Sequence, residues 1–107
     1  MAIGKLASSN PNTEVGTIVY TVPAGYNSTF TVSVVNTGDY SGTITLATLD
    51  SGNTSPTTKD YIEYQTTLQP KSVYERTGLV LSSNQSLYIL GTTNKFAVNV
   101  FGFEQTN

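Results

Sequence analysis

Cysteine, histidine and tryptophan are missing from this chain of 107 residues, and methionine occurs once. Without Cys there is no disulfide, no thiolate metal site and no Cys nucleophile. Without His, the commonest general base and the commonest metal ligand are lost together. Charge is scarce: five Lys and Arg stand against seven Asp and Glu, a net charge of −2. Cations so few and scattered leave no electrostatic footprint for nucleic acid or for an anionic membrane. No stretch approaches the ~20 apolar residues of a transmembrane helix. The opening MAIGKLASSNPNTEVG lacks the apolar core of a signal peptide. A soluble protein made in the cytosol is the expectation. The sequons at Asn27, Asn53 and Asn84 are then what a chain rich in Ser, Thr and Asn produces by chance.

What is present is a period of two. Ile18, Tyr20 and Val22 alternate with Thr17, Val19 and Thr21. Phe30, Val32 and Val34 alternate with Thr29, Thr31 and Ser33, and Ile44 and Leu46 with Thr43, Thr45 and Ala47. YIEYQ (61–65), SVYERTGLVL (72–81), SLYIL (86–90) and KFAVNVFGF (95–103) complete the set. These segments are rich in Val, Ile, Thr, Tyr and Phe, and they read as half-buried strands. PAGYN, NTGDYSG, DSGNTSPTTKD, LQPKS, SSNQ and GTTN between them are turn chemistry. The pattern predicts an all-β fold: an antiparallel β-sandwich of about seven strands, Ig-like or jelly-roll, with a barrel as the less favoured closure. Residues 1–14 show no strand period and carry Pro11, so they are expected to form an extended N-terminal arm ahead of a single domain at 15–107. Ile3 and Leu6 are the apolar residues of that arm. Gly78, where alternation gives way to Leu79-Val80-Leu81, predicts a bulge between 76 and 79.

Six of the twelve charged residues fall between 59 and 76: Lys59, Asp60, Glu63, Lys71, Glu75 and Arg76. If 61–65 and 73–77 pair as a hairpin, Glu63 could face Glu75 or Arg76, and Lys59 could face Glu75, depending on register. Acid–base catalysis would need two carboxylates with separated pKa values in a pocket. Cross-strand charge pairs on a contact face are the simpler expectation. Asp39, Asp50 and Asp60 lie in predicted loops, but calcium takes about six to eight oxygens and their spacing matches no ligand pattern. No phosphate-binding Gly loop or Ser–His–Asp set is present, so no catalytic, cofactor-binding or metal residue is assigned. Tyr26 and Tyr40, in loops, are the aromatic residues a glycan could use, or they cap the sandwich end with their hydroxyls in water.

The order of segments is more specific than any of these patterns. VYTVPAG (19–25), TVSVVNTG (31–38), DYIEYQTTL (60–68), VYERTGLVLSSNQSLYI (73–89) and FAVNVFGFE (96–104) follow one another over nearly the whole chain. This series resembles a family of small virion structural proteins of tailed phages that infect marine bacteria and cyanobacteria. The most specific parts are Ile62-Glu63-Tyr64, Glu75-Arg76-Thr77-Gly78 and Gly102-Phe103-Glu104. The segment 50–59 is more polar than that pattern. The resemblance implies a non-enzymatic virion component, made in the host cytoplasm, whose sandwich binds other virion proteins. Those partners would be the major capsid protein, for a decoration or cement protein outside the shell, or tail and baseplate proteins, for an adhesin-like component; a homo-oligomer is compatible with either. Ile3, Leu6, Glu63, Glu75 and Arg76 are then the expected partner-binding residues, the charges setting register rather than affinity.

Overall fold

A computed structural model describes residues 3–106 of the chain. Eight strands are formed among them: β1 (Ile3–Ser9), β2 (Thr17–Thr21), β3 (Tyr26–Asn36), β4 (Gly42–Leu49), β5 (Tyr61–Leu68), β6 (Val73–Leu81), β7 (Ser86–Gly91) and β8 (Phe96–Thr106). One turn of 3₁₀ helix, Thr58–Asp60, precedes β5. All pairings are antiparallel, in two four-stranded sheets of order β1-β8-β3-β6 and β2-β7-β4-β5.

The pairings are nested. β4 pairs with β5, β3 with β6, β2 with β7 and β1 with β8. A long antiparallel ribbon folded at the β4–β5 connection and rolled so that alternate pairs fall in opposite sheets gives this order. That is the jelly-roll form of the sandwich rather than an Ig-like one.

Nesting also explains the first correction to the sequence reading. Residues 3–9 are not an arm reaching away from the domain; they are the edge strand that covers β8, and the strand count is eight rather than seven. Their period is hidden by a bulge. Ile3 and Lys5 pair with Phe103 and Phe101 on the outer face, Leu6 is the extra residue, and Ala7 resumes pairing opposite Val100 on the inner face. Leu6 packs against the chain's own core, whereas Ile3 lies outside it. Residues 10–14 are tied down as well: Asn10 Nδ2 donates to the Asn94 and Phe96 carbonyls at 2.8 and 2.7 Å, and Pro11 is buried.

The core lies between the sheets. In β3 every second residue from Ser28 to Asn36 is buried, as the alternation requires. Phe30, Val32 and Val34 meet Val98 and Val100 of β8 and, from the other sheet, Ile44, Leu46, Leu87 and Ile89. Each such side chain, fully withdrawn from water, contributes roughly 1.5–3 kcal/mol. Asn36 is the polar member of the set, fully buried at the end of β3. Its amide donates to the carbonyls of Tyr40 and Leu68 at 2.9 and 3.1 Å, and its Oδ1 accepts the Gly38 N–H at 3.0 Å. One side chain thereby fixes the β3–β4 turn to the end of β5.

The bulge expected at Gly78 is present. Phe30 pairs with Leu79 and Val32 with Arg76, so Thr77 and Gly78 together oppose Thr31. Gly78 has φ +73°, a left-handed conformation that costs a residue with a Cβ more than it costs glycine.

Candidate functional site

β5 and β6 do not form a hairpin with each other. They are the edge strands of opposite sheets on the same side of the sandwich. Glu63 and Arg76 nevertheless meet, because both point inward: Glu63 pairs with Leu46 of β4, and Arg76 with Val32 of β3. The guanidinium Nη1 lies 3.2 Å from Glu63 Oε1, and Thr66 Oγ1 donates to Oε2 at 2.8 Å. The salt bridge closes the open side of the sandwich from one sheet to the other. Tyr74, two residues before Arg76, places its buried hydroxyl beside the same carboxylate without completing a well-formed hydrogen bond. The Tyr74 hydroxyl dipole, then the Thr66 donor and the Arg76 charge, hold Glu63 below the usual carboxylate range. Burial, and next the Glu63 carboxylate, push the Tyr74 phenol up.

Of the five residues expected to bind partners, Glu63 and Arg76 are thus engaged with each other, Leu6 packs on the core, and Ile3 and Glu75 are exposed. Arg76→Ala should cost only about 1 kcal/mol, because the pair is part-solvated. The Arg76 side chain is 42% exposed and that of Glu63 25%. Glu63 stabilises the fold above the unfolded carboxyl pKa of about 4.3 and ceases to do so as pH falls through its lower folded value. Acid titrations of denaturant midpoints should therefore show a shallower loss below that pH in Glu63→Gln than in the wild type.

The other charges of the segment are local. Lys59 bridges Asp50 and Asp60 at 3.4 and 3.2 Å. Asp60 Oδ2 accepts the Thr57 N–H at 2.8 Å, and this contact, with Lys59 beside it, lowers the Asp60 pKa. Asp39 sits elsewhere, 3.2 Å from Lys71. The three loop aspartates do not converge, and among the described residues no group of three or more acids is placed to hold a metal ion.

Two features of the molecule were not expected from the sequence. The first is a buried polar cluster. Tyr20 places its hydroxyl 2.6 Å from Glu104 Oε2 and 3.0 Å from Ser28 Oγ, and Ser28 Oγ lies 3.4 Å from the Phe103 carbonyl. All three residues are buried. Burial, then the bond to Glu104, pushes the Tyr20 phenol up to about 12. A signal for it existed: Ser28 is in phase with Phe30, and Glu104 with Val98 and Val100, so both had to point inward.

The second is the outer face of the β1-β8-β3-β6 sheet. Ile3, Phe103, Thr29 and Val80 are consecutive cross-strand partners and form one row across all four strands. Phe101 stands in the next row, between Lys5 and Thr31. Ile3 is 84% exposed and Val80 65%, and Phe101 and Phe103 about two-fifths. Val73, at the far end of β6, is exposed on the same face opposite Val35. Scattered surface apolar residues are ordinary, but Ile3, Phe103 and Phe101 adjoin one another here, with Val80 across Thr29.

The chain matches no protein-family model, and no curated protein matches it.

Proposed function

We propose that this chain is a non-enzymatic structural protein of a tailed-phage virion, a decoration or cement protein that binds the major capsid protein on the outside of the shell. The observation that carries the reading is the row Ile3–Phe103–Thr29–Val80, apolar but for Thr29, with Phe101 beside it, on the outer face of one sheet. A sheet face of this kind, neutral at its centre and bordered by Lys5 and Glu75, has the anatomy of a protein contact: apolar core, polar rim. The resemblance of the segment series to small virion proteins is the second support. The jelly roll, an architecture that viral capsid proteins use, is a third, although architecture alone never assigns a role. The residues that carry the resemblance are chiefly fold-makers: Glu63 with Arg76 clips the sheets, Gly78 makes the bulge, and Glu104 anchors Tyr20.

The row is tested by placing charge at its two ends, Ile3→Asp with Val80→Asp. Both side chains are mostly in water, so each change should alter folding stability by about 0.5 kcal/mol or less. The variant is expected to keep its denaturant midpoint and to lose binding to particles that lack the protein. A variant that decorates such particles as fully as the wild type contradicts the reading. A second reading, a tail or baseplate component that touches the host surface, is favoured by one observation, the Tyr40 ring 85% exposed on a loop whose backbone is fixed.

A further inference from the structure

The β3–β4 turn, residues 37–41, is far better held than an exposed loop requires. Thr37 donates to the Lys95 carbonyl through both its N–H, at 2.9 Å, and its Oγ1, at 2.7 Å. Lys71 Nζ reaches the Thr37 carbonyl at 3.0 Å and the Asp39 carboxylate at 3.2 Å. From beneath, the buried Asn36 amide grips the Tyr40 carbonyl and its Oδ1 takes the Gly38 N–H. The backbone these bonds hold carries the most exposed large hydrophobic side chain among the described residues, the Tyr40 ring at 85%. Folding gains almost nothing from a ring so placed, yet its backbone is fixed by a buried side chain.

Beside the ring lies an open cleft of about 380 Å³, walled by the 37–41 turn and by Thr93 and Lys95 of the β7–β8 connection. Its rim offers the hydroxyls of Thr37, Ser41 and Thr93, one carboxylate (Asp39) and one ammonium (Lys95). Asp39 is already paired with Lys71, so hydroxyls predominate on a rim whose other charge is the Lys95 ammonium. An exposed aromatic ring on a fixed backbone beside hydroxyl groups suits a ligand that is apolar on one face and hydroxylated around its edge. A pyranose has that form: its axial C–H face lies on an aromatic ring while its equatorial hydroxyls point outward to polar groups.

We propose that the Tyr40 cleft is a binding site for a saccharide. It stands apart from the sheet face assigned to capsid contact. Thr29 and Asn36 are separated by seven residues of extended strand, about 24 Å, so the cleft remains open when the apolar row is covered. Tyr26, the other loop tyrosine of the sequence, is at the opposite end of β3 and partly packed on the core, so it takes no part. The site does not depend on the capsid assignment, and its test uses the isolated chain.

The test is a titration of the ¹⁵N-labelled protein with glucose, galactose, mannose and N-acetylglucosamine, followed amide by amide. At least one of the four should shift residues 37–41 and 92–95 saturably, with a dissociation constant of about 1–10 mM, the range of a single exposed ring and a few hydrogen bonds. Tyr40→Ala should weaken that binding at least about tenfold and leave the denaturant midpoint unchanged. Tyr64→Ala, which removes another exposed tyrosine on β5, should bind as the wild type does. No saturable shift with any of the four sugars, shifts centred elsewhere, or undiminished binding by Tyr40→Ala would overturn the proposal.

Discussion

Gly102→Ala is expected to cost about 3 kcal/mol or more, because it overpacks backbone against backbone. A Cβ at Gly102 would stand 2.1 Å from the Thr29 carbonyl oxygen and 2.7 Å from Phe30 Cα, so the central strands β8 and β3 would have to part. No side chain can rotate away to relieve this contact. The same substitution at Gly78 has a different cause and a smaller effect. There a Cβ would meet nothing within 4 Å, but φ is +73°. The strain of an alanine in that conformation is about 1–2 kcal/mol. Urea midpoints of the two variants separate these mechanisms. A domain of this size has only about 5–15 kcal/mol of net stability, so Gly102→Ala should show a conspicuous drop in midpoint. Equal midpoints for the two variants would mean that the sheet accommodates the methyl group by a shift of strand separation.

Tyr20→Phe is the second large effect, at about 2–3 kcal/mol, since it removes a hydrogen bond to a charged group and leaves the Glu104 carboxylate buried without it. Its pH dependence is distinctive. The Tyr20 phenol is pushed up to about 12 in the fold, chiefly by burial, from an ordinary value of 10.0. A phenol harder to ionise in the folded state than in the unfolded one supplies its full contribution below pH 10. That contribution is lost as pH rises, because the unfolded chain releases the proton first. Over the two pH units between those values the loss amounts to about 2–3 kcal/mol. Wild type should therefore lose stability between about pH 10 and 12, and Tyr20→Phe should lose much less. Tyr74→Phe is the control, because the Tyr74 phenol is also raised, by burial first and by Glu63 next. An unchanged alkaline limb in Tyr20→Phe would contradict the assignment of that slope to Tyr20.

Seven of the eight strands were legible as alternation, because each lies with one face on the core. β1 was not, and the reason is local. Gly4 at φ +106° and the extra residue Leu6 shift the phase within seven residues, and Ala7, Ser8 and Ser9 are too small to announce a face. Glu63–Arg76 was one of three pairings the sequence allowed, and only as neighbours in a hairpin. Sequence proximity suggested one sheet, whereas the four residues between β5 and β6 carry the chain from one sheet to the other. Nothing in a single sequence distinguishes those two routes for a Pro-containing turn. The outer-face row was out of reach for a related reason. Ile3, Phe103, Thr29 and Val80 come from four separate stretches of the chain, and only the register brings them together. Tyr40 was singled out in the sequence as a loop aromatic, and its loop is held by Asn36, the last residue of β3, whose complete burial the sequence does not reveal.

Counting the chain against the major capsid protein in purified virions, by quantitative mass spectrometry, tests the central claim most directly. A decoration protein seated through the Ile3–Val80 row on a repeated shell lattice must be present in hundreds of copies, in a fixed ratio to the capsid subunit. Copies in small multiples of three or six, the symmetry of a tail or baseplate, would contradict capsid decoration, and absence from the particle would contradict a virion role altogether.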